Sequence, residues 1–387
     1  MSRSPSNDAP PHGAPQPSRE STRGANGHAQ NGHGNGHAHP SSRSTRHGAE
    51  GERILSLALQ GGGAHGAFTW GVLDRLLEDE RVVIDGISGT SAGAMNGAAL
   101  AYGMIRGGRE GARELLSRFW NEIGRSARWS PFQPTWFDNW WGTGSLDLSP
   151  AYFAFDMWSR LFSPYQFNPF DYNPLRTVLG NLIDFEELRR SQGVKLFASA
   201  TNVRTGKIKV FGLHEISADA ILASACLPML FRAVEIEGEH YWDGGYMGNP
   251  AIFPLLYECE ASDVVIVEVN PIRTERVPET AREILDRMNN ISFNSTLMRE
   301  MRAIAFVSEL VDDHLLSGNN RLRKINFHMI EAERMMDSLG ASSKFNASLS
   351  FLHSLRDLGR ERAEEWLAHS FAKVGAESSI DLQHLFF

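Results

Sequence analysis

The sequence predicts an α/β fold, and three stretches carry that prediction. The first is an apolar run at residues 54–60 that ends in a glycine cluster and is followed by a segment of helical spacing at 67–77. The second is an apolar run at 81–87 that leads through a glycine-serine turn into a run of small residues. The third is a buried strand at 264–269. Strands that alternate with helices in this way are typical of α/β domains.

The rest of the chain continues the alternation. The further predicted elements, in chain order, are helices opening at 173 and 184, strands at 194–201 and 207–211 joined by a turn at 204–206, a helix at 217–226, a strand at 240–242, and mostly helix from 280 onward with one interrupting strand at 324–330.

Length and composition limit the domain organisation. At 387 residues the chain can hold one large α/β domain or two ordinary ones. Residues 1–50 are polar and rich in glycine and histidine, so we expect a disordered tail, with adventitious metal binding as the less favoured alternative. We expect one ordered domain over 53–330 and a helical extension over 331–387, whose last helix carries many charges and is predicted to be peripheral.

The charge, the cysteines and the apolar stretches exclude several classes of protein. A formal net charge of -8 argues against a nucleic-acid-binding surface. Cys226 and Cys259 lie far apart and form no C-x-x-C motif, so we expect no disulfide framework and no zinc site. A chain without disulfides is typical of a reducing cellular compartment. Neither a spanning segment nor a signal peptide is visible, and we therefore expect a cytoplasmic protein.

The glycine-serine turn is Gly89-Thr90-Ser91-Ala92-Gly93, which matches the G-x-S-x-G pattern. Between a strand and a helix this pattern indicates a nucleophile elbow, in which Gly89 and Gly93 permit a tight turn and Ser91 stands at a helix N-terminus. The pentapeptide alone is a weak signal, because a simple glycine-serine turn has the same composition. The flanking strand and helix favour the catalytic interpretation.

The earlier glycine cluster, Gly61-Gly62-Gly63-Ala64-His65-Gly66, allows two interpretations. It matches the dinucleotide fingerprint G-x-G-x-x-G, and Asp85 follows about 20 residues on, as a ribose-binding acid would. The extra glycine and the serine elbow after the next strand favour a different use. Bare backbone amides beside a nucleophile can bind an oxyanion.

A serine nucleophile needs a neighbouring base. Among the histidines after residue 50, only His65 and His240 lie near a glycine run or a strand end. Asp243 is the better-placed base, because it ends a predicted strand and is followed by Gly244 and Gly245. A histidine base is the alternative.

These three motifs, in this order, resemble the patatin-like phospholipase family, over residues 53–270 and extending to 330. The resemblance implies a three-layer α/β/α sandwich with a mostly parallel central sheet. It implies a lipid acyl hydrolase with Ser91 as nucleophile, Asp243 as proton acceptor and the 61–66 run as oxyanion loop, with Gly62 and Gly63 as the main donors. It requires no cofactor and no metal, and it implies peripheral contact with membrane lipid.

One departure from the family keeps an alternative open. The family usually has arginine or lysine where this chain has His65, and a neutral imidazole supplies less positive charge near an oxyanion or a head group. The departure at His65 motivates one alternative, a lipid- or membrane-binding module with weak catalysis. A second alternative, which does not depend on His65, keeps the same dyad and changes the substrate: an intracellular polyester depolymerase or a general esterase.

Residues 119–172 are rich in aromatics and broken by prolines and glycines. Two interpretations stay open for this stretch. It can form a second small core, or it can be a lid or apolar channel for acyl chains, with tryptophans at a lipid–water boundary.

Overall fold

A mixed eight-stranded sheet with flanking helices organises the chain. The computed structural model describes residues 51–127, 146, 154, 157–159, 161–312 and 324–387. The predictions for the tail at 1–50 and for much of the aromatic stretch at 119–172 lie outside the described residues. The division of the chain into a domain at 53–330 and an extension at 331–387 stays a prediction.

The described strands and helices follow the predicted alternation. The strands are β1 (Arg53–Leu59), β2 (Val82–Gly89), β3 (Lys195–Asn202), β4 (Ile208–Gly212), β5 (Val234–Ile236), β6 (Glu239–Asp243), β7 (Asp263–Val267) and β8 (Asn326–Ile330). The helices are α1 (Gly66–Glu78), α2 (Ala92–Ala127), α3 (Pro164–Phe167), α4 (Pro174–Leu182), α5 (Phe185–Arg190), α6 (Ala218–Ser224), α7 (Phe253–Glu258), α8 (Ala281–Asp312), α9 (Glu333–Ser338), α10 (Leu349–His369) and α11 (Leu382–Phe386).

The sheet has the order β5-β6-β3-β2-β1-β7-β8, with β4 added to β3. The pairs β1–β2, β1–β7, β2–β3 and β7–β8 are parallel, and the pairs β3–β4, β3–β6 and β5–β6 are antiparallel. The centre of the sheet is therefore parallel, and its apolar strands are covered on both faces, as such sheets require. The predicted α/β class with a mostly parallel central sheet is confirmed.

The pairing of β3 brings two distant segments together. β4 occupies one edge of β3 along 197–201, so β2, which pairs with 195–198, and β6, which pairs with 200–202, share the other edge. β2 runs parallel to β3 and ends at Gly89, whereas β6 runs antiparallel and ends at Asp243, opposite Ala200. The ends of β2 and β6 consequently meet.

The last long helix is not peripheral, and that prediction was wrong. α10 packs along α1 so closely that a Cβ at Gly71 would lie 1.9 Å from the carbonyl oxygen of Arg356, and a Cβ at Gly359 would lie 2.1 Å from that of Phe68. The charges of α10 occupy its outer face, and its inner face repeats at helical spacing. The buried residues of that face are Leu352, Leu355, Gly359, Ala363, Trp366 and Leu367.

Three other features bear on the predictions. Cys226 and Cys259 are both buried, and neither forms a disulfide within the described residues. Among the helices of the described residues, none combines the length and the apolarity that crossing a membrane requires. Strand β5 was not predicted, because three residues are too short to show a period.

Candidate active site

Ser91 lies at the sharp turn between β2 and α2. Its φ of 54° falls in the left-handed region, which residues with a side chain rarely adopt, so the turn is strained. The surroundings hold that strain. The Ser91 amide donates to Oγ of Ser224 at 2.9 Å, and the Thr90 hydroxyl donates to the carbonyl of Gly248 at 2.6 Å. Ser91 directly precedes α2, so charge that develops on its oxygen lies at a helix N-terminus.

The glycines of the elbow are required by close packing. A Cβ at Gly89 would lie 2.6 Å from the carbonyl of Gly93, and a Cβ at Gly93 would lie 2.2 Å from the carbonyl oxygen of Leu59. The end of the glycine loop is equally tight, since a Cβ at Gly66 would lie 2.6 Å from that of Ala92. The elbow and the glycine loop can therefore touch only without these side chains.

Asp243 ends β6 beside the elbow and is 1% exposed. Its Oδ1 accepts a hydrogen bond from the amide of Gly245 at 2.7 Å. Burial raises the pKa of Asp243 to about 7, against the opposing effects of the Gly245 amide and of a hydrogen bond from the Ser91 side chain. A carboxylate of this basicity can accept a proton near neutral pH.

Gly244 and Gly245 let the carboxylate sit this deep in the fold. A Cβ at Gly244 would lie 2.1 Å from the carbonyl oxygen of Ser199, and a Cβ at Gly245 would lie 2.1 Å from the ring of Phe293 on α8. Both glycines are buried. The turn after β6 is thus closed on one side by β3 and on the other by α8.

The glycine loop presents two amides beside Ser91. A Cβ at Gly61 would lie 2.7 Å from the Cβ of Ser91, so the loop touches the elbow. The Gly61 amide is already bound to Oδ1 of Asn249 at 2.7 Å, so Gly61 is not available as an oxyanion donor. Within the described residues, the amides of Gly62 and Gly63 have no hydrogen-bond acceptor.

A family model for patatin-like phospholipases matches residues 57–256, which include the glycine loop, the elbow and the turn after β6. This match covers more than half of the chain. The chain belongs to the patatin-like phospholipase family. It is therefore an enzyme of the lipid acyl hydrolase class, and the suspected family is confirmed. Its substrate is a lipid in the general sense that the family name gives.

Two solved structures resemble this patatin-like phospholipase. VipD from Legionella pneumophila is 16% identical, with a TM-score of 0.32, over 79% of this chain and 67% of that chain. The type III effector protein ExoU is 17% identical, with a TM-score of 0.25, over 81% of this chain and 54% of that chain. No curated protein matches the chain.

The unusual residue of this patatin-like loop, His65, is buried and uncharged. It is 1% exposed, and its Nε2 lies 2.7 Å from Oγ of Ser343. Burial, together with the smaller effect of the nearby charge of Lys344, lowers the pKa of His65 to about 3. Ala64 is buried beside it, and the amide of His65 donates to the carbonyl of Gly62 at 3.2 Å. The imidazole supplies no positive charge, as the sequence led us to expect.

Neither histidine considered as a base contacts the nucleophile. His240 lies 3.9 Å from Glu235 through its Nε2, and His65 is engaged with Ser343. Within the described residues, no hydrogen bond joins a histidine to Ser91.

The dinucleotide alternative fails on the position of Asp85. That residue forms the bulge in β2, where its carboxylate accepts from the amide of Ala261 at 3.0 Å and lies 3.3 Å from Nζ of Lys195. Lys195 begins β3, so Asp85 faces the end of the sheet opposite the glycine loop. It cannot reach a ribose bound at that loop.

Sequence reasoning missed several residues that hold the site. Asn249 and Ser224 bind backbone amides of the loop and the elbow, and each lies near a motif that had been recognised. Asn270 donates to the carbonyl of Gly61 at 2.6 Å, and Lys344 donates to Oδ1 of Asn270 at 2.7 Å. No spacing in the sequence could have shown these last two contacts, because only the folded chain brings the partners together.

The described part of the aromatic stretch divides into two. Phe119 and Trp120 are buried on α2 and belong to the main core. From Met157 onward large apolar side chains are exposed, including Phe170 at 92%. The exposed set in this segment is Met157, Trp158, Leu161, Phe162, Tyr165, Phe170 and Tyr172. We call these residues the aromatic patch.

The aromatic patch is joined to the strand end that carries Asp243. The guanidinium of Arg232 lies over the ring of Tyr165 at 5.2 Å and donates to its carbonyl at 3.3 Å. The carbonyl of Arg232 accepts from Sγ of Cys226 at 2.9 Å, and the carbonyl of Cys226 accepts from the amide of Asp243 at 2.8 Å. Tyr165 of the aromatic patch is therefore connected to Asp243 through Arg232 and Cys226.

Proposed function

We propose that the chain hydrolyses fatty-acyl esters of lipids, phospholipids among them, with Ser91 as nucleophile and Asp243 as the base. The observation that carries the proposal is a buried carboxylate of raised pKa beside a strained serine, with two unoccupied amides next to it. No histidine takes part.

Proton transfer between the two side chains opens the reaction. The ionised carboxylate of Asp243 takes the proton of the Ser91 hydroxyl as Oγ attacks the ester carbonyl. The C–O bond to the alcohol then breaks, and the alcohol leaves with the proton from Asp243. The acyl group remains on Ser91. A water molecule then gives a proton to Asp243 as its oxygen attacks the acyl carbonyl. The bond from the carbonyl carbon to Oγ breaks, Asp243 returns the proton to Oγ of Ser91, and the fatty acid leaves.

The glycine loop acts on the tetrahedral intermediates. Each attack places negative charge on the former carbonyl oxygen, and the amides of Gly62 and Gly63 are free to bind it. One such donor contributes about 3 kcal/mol to the transition state. The N-terminus of α2, directly after Ser91, favours the same charge.

The aromatic patch is proposed to contact the lipid surface. Apolar rings exposed to this extent are costly in water, and tryptophan and tyrosine favour the lipid–water boundary. Contact at the patch would bring an acyl chain toward the strand end that carries Asp243. We propose that the protein is cytoplasmic and contacts the membrane peripherally.

Product analysis tests the proposal. The protein is incubated with a mixed lipid extract beside its Ser91→Ala variant, and the products are identified by mass spectrometry. We expect free fatty acids and the matching deacylated lipids from the wild type alone. Equal product from a folded Ser91→Ala variant would falsify the proposal.

Three substrates separate this function from its alternatives. Turnover is compared on phospholipid vesicles, on a soluble short-chain ester and on polyester granules. Preference for vesicles supports the lipid assignment, and preference for granules or soluble esters indicates a depolymerase or a general esterase. A folded protein whose Ser91 is not labelled by a phosphonate would be a binding module.

A further inference from the structure

A buried polar network lies against the glycine loop. Gln60 and Asn270 are 0% and 1% exposed. Oε1 of Gln60 accepts from the amides of Val269 at 3.0 Å and Asn270 at 2.9 Å, and its Nε2 donates to Oδ1 of Asn294 at 3.1 Å. These bonds fix each carboxamide in one orientation. A network satisfied in this way is rigid.

Asn270 connects the glycine loop to a cation. Its Nδ2 donates to the carbonyl of Gly61 at 2.6 Å, while its Oδ1 accepts from Nζ of Lys344 at 2.7 Å. Lys344 also donates to Oδ1 of Asn290 at 3.2 Å. The backbone of Lys344 packs on the loop as well, since a Cβ at Gly63 would lie 2.5 Å from its carbonyl oxygen.

The hydrogen bond from Asn270 to the carbonyl of Gly61 affects the amide of Gly62. The carbonyl of Gly61 and the amide of Gly62 belong to one peptide group, and that amide is one of the two without an acceptor in the described residues. A donor on the carbonyl draws electron density away from the amide nitrogen, and each hydrogen bond in a chain strengthens the next. The positive charge of Lys344 acts at the start of this chain in surroundings of low dielectric.

We propose that Lys344 is a positioning residue of the oxyanion loop. Acting through the Asn270 carboxamide, its ammonium group orients and polarises the Gly61–Gly62 peptide, so that the Gly62 amide binds a developing oxyanion more strongly. The inference rests on the function proposed above, because it needs an oxyanion to form at Ser91. It assigns a part in the reaction to a residue outside the family match at 57–256.

The charge of Lys344 responds to pH. Burial lowers the pKa of Lys344 to about 8, and Asp286 acts in the opposite direction. Lys344 lines a cavity of about 1320 Å³ that His65 also borders. The charged or titratable groups that face this cavity from the neighbouring elements include His65, Arg273, Asp286, Arg287 and Glu333.

Two substitutions at one position separate charge from contact. Lys344→Met removes the charge and the donor, whereas Lys344→Gln removes the charge and keeps an N–H for Asn270. The control is Lys373→Met, which deletes an exposed lysine paired with Glu377. On a soluble ester we expect Lys344→Met to lower kcat about 10-fold with KM nearly unchanged, less than the about 10²-fold lost with a whole donor. Lys344→Gln should be intermediate and Lys373→Met unaffected.

The pH profile gives the reading that a purely structural role would not produce. Wild-type kcat should fall as the pH rises through about 8, where Lys344 loses its proton. Both Lys344 variants should lack that decline. The inference would be overturned if Lys344→Met had the kcat of the wild type, or if its alkaline decline were unchanged. In that case the proposed function would still stand, provided that the Ser91→Ala variant is inactive. Activity that survives in Ser91→Ala would overturn both.

Discussion

Two buried aspartates lie at opposite ends of the sheet, and their surroundings differ. Asp263, 2% exposed, begins β7, and its Oδ1 is contacted by Nε2 of His328 at 3.1 Å, Nδ2 of Asn326 at 3.2 Å and the amide of Gly375 at 2.8 Å. Asp243, 1% exposed, ends β6. Among the described residues it accepts from one backbone amide and interacts with the side chain of Ser91.

The cluster around Asp263 contains the residue types of a hydrolase triad, but it joins separate elements of the fold. We call it the clasp. Nδ1 of His328 lies 3.0 Å from Oγ of Ser379, which completes a serine-histidine-aspartate series. These side chains join β7 and β8 to the segment that follows α10, and the amide of Ser379 also donates to the carbonyl of Phe327. Residue types alone therefore do not identify the reactive pair. Burial with few partners raises the pKa of the Asp243 carboxyl.

The largest expected difference is in ester hydrolysis, between substitution of Ser91 and substitution of Ser379. Ser91→Ala should lower ester hydrolysis about 10⁴-fold or more, because no other nucleophile takes its place. Ser379→Ala should leave kcat within about twofold, since its loss removes one hydrogen bond far from the chemistry. Turnover of a soluble ester by both purified variants checks this. A comparison in which Ser379→Ala is the inactive variant would reverse the assignment of the two sites.

The two aspartates should differ in what their loss affects. Asp243→Asn should lower kcat about 10³-fold, within the range of a missing general base, and should leave the protein folded. Asp263→Asn should lower the free energy of unfolding by about 2 kcal/mol, because it disturbs a buried hydrogen-bond cluster, with kcat per folded molecule unchanged. Urea titration and turnover measure the two effects. Similar results for both variants would mean that the clasp and the dyad are not distinct.

The raised pKa of Asp243 makes activity rise with pH. The carboxyl must be ionised to accept the proton of Ser91, so kcat/KM should increase about tenfold per pH unit below about 7 and level off between about 7 and about 8, before the decline expected when Lys344 loses its proton. A profile that is flat between pH 5 and 7 would show that Asp243 is not the base.

The raised pKa of Asp243 also makes its contribution to the free energy of unfolding decrease as the pH rises. The folded pKa of Asp243 lies above the value of 3.8 expected when unfolded, so the folded state holds more protons between these values. The contribution of Asp243 to the stability of the wild type should therefore fall as the pH rises from about 4 to about 7. Asp243→Asn should not share this contribution, and its Tm relative to the wild type should be higher at pH 8 than at pH 4. Calorimetry at both pH values measures this, and a constant difference in Tm would contradict it.

The sequence predicted the part of the site that depends on local geometry. Ser91 and the glycines at 89 and 93 form one strand-turn-helix unit, so the elbow could be predicted from its own residues. The meeting of Asp243 with Ser91 depends on β6 sharing an edge of β3 with β2. The strand end and the glycines after it suggested Asp243 as a base, but no local pattern could show this pairing of strands. Lys344, Asn270 and the contact of α10 with α1 depend on long-range packing, and the charged outer face of α10 concealed its apolar stripe.

The smallest expected effect concerns the surface near each aspartate. Phe170 of the aromatic patch adjoins Asp171, whose charge acts on the Cys226 thiol near Asp243, whereas Tyr257 on α7 is 78% exposed and lies three residues before Glu260, whose amide binds Asp85 at the other end. Phe170→Ser should weaken vesicle binding about 10-fold through lost apolar contact, with turnover of a soluble ester unchanged. Tyr257→Ser is the matched control and should bind vesicles as the wild type does. If both variants bound vesicles equally weakly, the aromatic patch would have no specific part in binding the lipid surface.

The central claim is that Asp243, without a histidine, activates Ser91. The most direct measurement is the rate at which a phosphonate labels Ser91 between pH 5 and pH 9, in the wild type and in Asp243→Asn, with the labelled residue identified by mass spectrometry. The account predicts a wild-type rate that climbs through about pH 7 and a slow, nearly pH-independent rate in Asp243→Asn. Labelling of Asp243→Asn at the wild-type rate, with the same dependence on pH, would contradict it.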